Sequence, residues 1–202
     1  MNIKFICVDF QNDFADPKGK WFNQGKSVDF IKNDLVKYFK DNNIGVNEII
    51  SDYRAPRPGN RGVGCVPGTF GYESALSADI KNRDVWIKCM NSPIWIRENI
   101  GEAGKEPGNP YQDPAKFDEW LLKNIGSPED VDLVILFGLT MDCCVLCTAQ
   151  ELNFRGYKVK ILYEAVDSMD STNEDYKQQL AEKSPILTWA DFIRFEELKR
   201  LL

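Results

Sequence analysis

Several short segments of this chain are apolar along most of their length, and that feature restricts the fold more than any other. They are Ile3–Phe10, Glu48–Tyr53, Val85–Met90, Leu133–Gly138, Val159–Tyr163 and the shorter Ile186–Leu187. A strand with one face in water alternates apolar and polar residues, whereas a near-continuous run belongs to a strand covered on both faces, as in a parallel sheet. Helical spacing appears between the runs. Ile31, Leu35, Tyr38 and Phe39 share a face after Ser27, and Phe117, Trp120, Leu121 and Ile125 share one after Pro114. Val145, Leu146, Ala149 and Leu152 lead to Gly156, a suitable residue to follow a helix. Tyr176 and Leu180 mark a further helix, and Thr188 with Asp191 three residues later reads as the capped start of the last one. Strand and helix in alternation predict an α/β fold, a three-layer α/β/α sandwich around a mainly parallel sheet of about six strands. The chain has 202 residues, which suits a single domain over 1–202 at roughly 100–200 residues per domain.

Open α/β sheets bind ligands at the carboxyl ends of their strands. That rule selects four windows: Asp9–Phe14, Asp52–Arg61, Lys88–Trp95 and Thr140–Cys144. Two segments rich in Gly, Pro and charge, Ala55–Thr69 and Gly101–Asp113, read as long loops.

Composition narrows the chemistry. The chain contains no histidine, which excludes Ser-His-Asp and Cys-His catalysis and every metal site built on imidazole. Acid–base work falls to carboxylates, Lys, Tyr or Cys. A formal charge of −6 argues against a nucleic-acid phosphate binder. No apolar run approaches the roughly 18 residues of a membrane span, and Asp9 interrupts an amino-terminal apolar stretch too short for a signal peptide. The expectation is a cytoplasmic protein whose six cysteines are thiols, most of them core filler.

Asp9, Asp52, Lys88 and Cys144 stand at four strand ends. Cys144 opens a helix, where free N–H groups and the helix dipole favour a thiolate. A carboxylate could take its proton and an ammonium could hold the anion, a trio that dispenses with histidine. Strand-end Asp and Lys are equally common as solvated loop residues or structural ion pairs, so the residues alone leave both readings open. Cys144 and Cys147 form a C-x-x-C within a helix and resemble a redox motif on paper, without a fourth soft ligand for a metal. Gly62-x-Gly64 lacks the third glycine of a dinucleotide fingerprint.

Four ordered pieces resemble the isochorismatase-like cysteine hydrolases, which include nicotinamidases and N-carbamoyl amide hydrolases. They are Val8-Asp9-Phe10-Gln11-Asn12-Asp13-Phe14; Cys65-Val66-Pro67-Gly68-Thr69-Phe70-Gly71; Lys88 at its strand end; and Gly138-Leu139-Thr140-Met141-Asp142-Cys143-Cys144-Val145 with Thr148-Ala149. The resemblance implies a triad of Asp9, Lys88 and Cys144, with Cys143 in a variable position. It also implies a cis peptide at Leu139–Thr140 that turns the Thr140 N–H toward the Cys144 N–H as an oxyanion hole. The implied reaction is cleavage of a small amide or ureido C–N bond through a Cys144 thioester. The implied partners are that small-molecule substrate and further copies of the chain. A non-enzymatic ligand-binding protein on the same fold and a divergent nicotinamidase are the alternatives.

The chain departs from the nicotinamidase pattern where that branch holds a divalent metal. Asp52 matches its Asp, but Arg54 and Gly64 stand at histidine positions. The expectation is therefore no metal and no cofactor. Arg54, Arg57 and Arg61 crowd this loop. They read either as an anion clamp for an acidic amide, with Phe14, Arg54 and Arg61 binding substrate, or as a partner for Asp52 beside solvated neighbours.

Overall fold

A computed structural model describes residues 1–55, 62–183 and 185–202. The strands are β1 (Ile3–Val8), β2 (Asn47–Ser51), β3 (Trp86–Lys88), β4 (Trp95–Ile96), β5 (Tyr111–Gln112), β6 (Leu133–Leu139), β7 (Val159–Asp167) and β8 (Asp191–Ile193). Six of them form one parallel sheet in the order β3-β2-β1-β6-β7-β8. The short β4 and β5 pair antiparallel beside it, so part of the segment expected as a loop at 101–113 is a ribbon strand.

Residues of β1 and β6 alternate between two cores. Ile6, Val8, Val134 and Leu136 face one with Phe117, Trp120, Ala149 and Leu152 from helices Pro114–Asn124 and Leu146–Phe154. Phe5, Cys7, Ile135 and Phe137 face the other, with Val28, Ile31, Leu35 and Phe39 from the helical stretch 26–41 and Leu198 from Phe195–Leu201. With both faces covered, every residue of β6 is buried. This is the predicted three-layer sandwich. Among the described residues no helix is long and apolar enough to cross a membrane.

The carboxy-terminal third corrects three expectations. Ile186 and Leu187 lie in a 3-10 turn, Pro185–Thr188, and the sixth strand is Asp191–Ile193. That edge strand is three residues long and graded from exposed to buried, so it leaves no continuous apolar run. The last helix starts after Arg194, whose N–H donates to Glu197 at 3.0 Å, and Thr188 does not cap it. In helix Glu174–Lys183, Tyr176 is exposed. Lys177 turns inward instead, pairing with Asp167 at 3.2 Å over the Tyr163 ring, while Leu180 packs on the core.

The chain lays down β1, β2 and β3 in one direction and then β6, β7 and β8 in the other. The order therefore reverses between β1 and β6, and a crevice opens beyond the carboxyl ends of those two strands. Gly138 makes the close approach there. It has φ 113°, and a Cβ on it would lie 2.1 Å from the Val8 carbonyl oxygen. Only glycine fits.

Candidate active site

Asp9 follows β1 directly, with φ 50° and its N–H donating to the Ile49 carbonyl at 2.8 Å. Lys88 ends β3 in register with Ser51, which ends β2. The two neighbouring strands thus deliver an ammonium and a hydroxyl to the carboxylate on β1. Lys88 Nζ lies 2.7 Å from Asp9 Oδ2, 2.8 Å from Ser51 Oγ, 2.8 Å from Tyr53 Oη and 3.1 Å from the Met90 carbonyl. Ser51 Oγ donates onward to Asp9 Oδ1 at 2.8 Å. Gln11 braces this corner, donating to the Ser51 carbonyl and accepting from the Ser51 N–H. Asp9, Ser51 and Lys88 are wholly buried. Burial works against the Lys88 ammonium, but the charge of Asp9 and the neighbouring Cys144 and Tyr53 hold its pKa well above the usual lysine value.

Cys144 reaches the same corner from β6. The chain leaves Leu139 through a cis peptide to Thr140 and enters a wide helical turn, Met141–Val145, that continues into Leu146–Phe154. The Thr140 carbonyl accepts from the N–H groups of Cys143 and Val145, both at 3.1 Å. Cys144 Sγ lies 3.4 Å from Tyr53 Oη and 3.7 Å from Asn91 Oδ1. Asp9 makes no hydrogen bond to the sulfur, and Tyr53 stands between the ion pair and Cys144. A hydrogen bond with Cys143, burial and the charge of Asp9 push the Cys144 thiol well up, and only Lys88 notably opposes them. The Cys143 hydrogen bond, burial and the carboxylate thus act against the thiolate that a helix start favours.

The sulfur opens on a pocket of about 270 Å³, near the lower end of small-molecule sites. Thr140 and Cys143 line it beside Cys144, and Phe14, Trp21, Phe22 and Met169 supply apolar wall. Phe14 and Trp21 stack at 5.5 Å, and Trp21 meets the Tyr53 ring edge-on at 6.5 Å. Gly64 makes room for Trp21, since a Cβ there would sit 2.3 Å from the indole. A larger groove of about 580 Å³ lies at the amino ends of β6, β7 and β8 and contains none of these groups.

Arg54 does not line the pocket. Its guanidinium pairs with Asp52 at 2.9 Å and donates to the carbonyls of Glu102 at 2.6 Å and Lys105 at 2.7 Å, and also to that of Asn99. Asp52 Oδ2 takes the Gly101 N–H at 2.9 Å as well. Of the two readings of this loop, Arg54 follows the Asp52-partner one. Arg57 and Arg61 lie outside the described residues.

Sequence reasoning missed Tyr53, Ser51 and Asn91. Tyr53 and Asn91 fell inside two of the windows, and their polar ends beside candidate catalytic residues were the available signal. Trp21 and Met169 carried no signal, because only the tertiary fold brings residues 21 and 169 to the end of β6.

No family model matches the chain, and no curated protein matches it in sequence. Solved structures do match in fold. An isochorismatase-like hydrolase from Alkaliphilus metalliredigens aligns at TM-score 0.64 and 18% identity, covering 99% of this chain and 97% of its own. N-carbamoylsarcosine amidase from Thermoplasma acidophilum aligns at 0.59 and 19%, covering 96% of each chain. The pyrazinamidase of Pyrococcus horikoshii, solved in complex with zinc, aligns at 0.61 and 19%, covering 96% of this chain and all 100% of its own. The fold is thus the isochorismatase-like one. The residues here do not suit such a metal. A guanidinium already sits on the Asp52 carboxylate, the chain has no imidazole, and no group of three potential metal-ligating residues occurs among the described residues.

Proposed function

We propose that this chain is a metal-independent cysteine amidohydrolase acting on a small, uncharged amide or ureido compound. The observation that carries the reading is the buried Lys88–Asp9 pair, joined through one hydroxyl to a cysteine sulfur at the mouth of an apolar pocket. A buried ion pair offset by three further polar partners is costly to assemble, and such arrangements concentrate at reactive sites.

In this reading the Cys144 thiol, which makes no hydrogen bond to Asp9 at rest, turns its proton from Tyr53 to that carboxylate as the sulfur attacks the substrate carbonyl, while Lys88 balances the charge. The Cys143 hydrogen bond and burial, which push the thiol up, suit ionisation in step with attack. The oxyanion is received by the N–H groups of Thr140 and Cys144, two residues that line the pocket. Ammonia or an amine leaves with the proton returned by Asp9, and water cleaves the thioester. Acid–base help of this kind contributes typically about 10²–10⁴-fold, and one oxyanion donor about 10²–10³-fold.

The substrate class follows from the wall. Phe14, Trp21 and Phe22 suit a flat acyl group, and the described lining carries no charged side chain. Arg54 is held by Asp52 and backbone carbonyls, which removes it from the anion clamp. Neutral aromatic amides such as nicotinamide and pyrazinamide therefore rank above acidic amides of equal size.

The test is an ammonia-release screen over neutral amides, acidic amides and ureido acids. Turnover on a neutral member is expected, falling at least about a thousandfold in Cys144→Ala. Turnover undiminished in that variant defeats the mechanism. Binding without turnover across the screen favours a ligand-binding protein on this fold.

A further inference from the structure

We infer that the Tyr53 hydroxyl is a catalytic residue in its own right: it is the hydrogen-bond donor that holds the Cys144 sulfur as negative charge develops on it. The inference rests on the amidohydrolase reading for its role in turnover, but not for its effect on the thiol.

Two hydroxyls flank Lys88, and their connections differ in one respect. Ser51 Oγ accepts an N–H from Lys88 and hands its own proton to Asp9 Oδ1. Tyr53 Oη likewise accepts from Lys88 at 2.8 Å, which leaves its single proton for an acceptor on the far side. Among the described residues, the Met90 carbonyl at 3.3 Å and Cys144 Sγ at 3.4 Å lie there. The Met90 carbonyl lies 3.1 Å from Lys88 Nζ, the longest of four contacts that share the ammonium's three protons. A sulfur gaining negative charge is the stronger acceptor, because hydrogen bonds to ionised partners are roughly twice as strong as neutral ones. The phenol therefore turns its proton to the sulfur as Cys144 ionises. Lys88 polarises that O–H bond from behind, so the charge of an ammonium with no hydrogen bond to the sulfur reaches it through one phenol.

The group is fixed for this task. Tyr53 is 1% exposed, its carbonyl accepts the Gly64 N–H at 3.1 Å, and its ring is bordered by Trp21. A donor held in place before reaction stabilises developing charge without reorganisation. No covalent change occurs at Tyr53. It keeps its proton throughout, and the thiol proton goes to Asp9 as before.

The experiment measures iodoacetamide labelling of the Cys144 peptide by mass spectrometry, from about pH 7 to about pH 10, with no substrate present. In Tyr53→Phe, labelling is expected to slow about 10- to 100-fold at each pH, from loss of one charge-assisted hydrogen bond. Labelling of Cys147 in the same digest should be unchanged. A second variant guards against failure to fold. Replacing Tyr53 with 3-fluorotyrosine keeps the ring and makes the hydroxyl a somewhat better donor, so near pH 7, where that phenol still carries its proton, Cys144 should label faster than in the wild type. Coincident profiles in wild type and either variant overturn the inference, since a tyrosine that merely fills space would not move them. An inactive chain that shows both shifts removes the amidohydrolase reading and leaves Tyr53 as the sulfur's donor. Turnover with unshifted labelling does the reverse.

Discussion

Lys88–Asp9 and Arg54–Asp52 are both buried cation–carboxylate pairs at the ends of neighbouring strands, with contacts of 2.7 and 2.9 Å. They differ in what else the cation touches. Lys88 spends its other N–H bonds mainly on two hydroxyls, one of which adjoins the sulfur of Cys144. Arg54 spends its remaining bonds on the carbonyls of Asn99, Glu102 and Lys105, and Asp52 takes the Gly101 N–H between them. The first pair adjoins a pocket, and the second ties down a loop. Burial and pairing alone therefore do not mark a catalytic group. Under the proposed mechanism the difference that matters is the partners' protons, since a hydroxyl can redirect a proton and a backbone carbonyl has none to redirect.

The sharpest way to break this contrast is to remove each cation in turn. Lys88→Ala and Arg54→Ala each strand a buried carboxylate, so each should cost on the order of 3–5 kcal/mol of stability by denaturant titration. Their kinetics should separate. Lys88→Ala is expected to lower kcat by at least about a hundredfold, whereas folded Arg54→Ala should keep kcat within about threefold of the wild type and become more prone to proteolysis near residues 99–105. An equal loss of kcat in both variants would erase the distinction.

A smaller effect concerns the thiol itself. Because Cys143, burial and Asp9 push the Cys144 pKa up, wild-type labelling by iodoacetamide at neutral pH should be slower than that of an unstructured peptide thiol. It should climb about tenfold per pH unit as pH rises toward the raised value. A plateau already reached below pH 7, by contrast, would mean a preformed thiolate and return the site to the helix-start expectation.

The smallest effect tests a third buried carboxylate, one with a poor cation. Glu48 has Lys81 only at 3.6 Å, and burial raises its pKa despite a hydrogen bond from Ser74. A carboxyl whose folded pKa is raised binds its proton more tightly when folded. Its contribution is therefore fully present below the unfolded value and is lost as pH rises through the folded one. Denaturant midpoints of wild type should decline across that window just above the ordinary glutamate range, and Glu48→Gln should flatten the decline. Equal slopes in the two proteins would show that Glu48 does not contribute to the decline.

The α/β class, the two-sided burial of β1 and β6 and the helix faces around Phe39 and Phe117 were legible in the chain, because a covered strand and an amphipathic helix each impose a local period on their residues. The same holds for Asp9 and Lys88 as strand-end residues, since a strand's end is read from its own run, whereas Cys144 lies beyond β6 inside the helical turn Met141–Val145. Short or edge elements were not legible: Asp191–Ile193 has too few residues to show a period, and Lys177 rather than Tyr176 faces inward because Asp167 lies opposite it. What joined the site was register and reversal of strand order. Only pairing of β3 with β2 puts Lys88 beside Ser51, and only the neighbouring of β1 and β6 brings Cys144 to that corner. That Arg54 would be fastened to the carbonyls of Asn99, Glu102 and Lys105, and that Tyr53 would reach the sulfur, are likewise long-range contacts. No local pattern encodes them, because each depends on residues dozens of positions apart being delivered to within hydrogen-bond distance by the packed sheet.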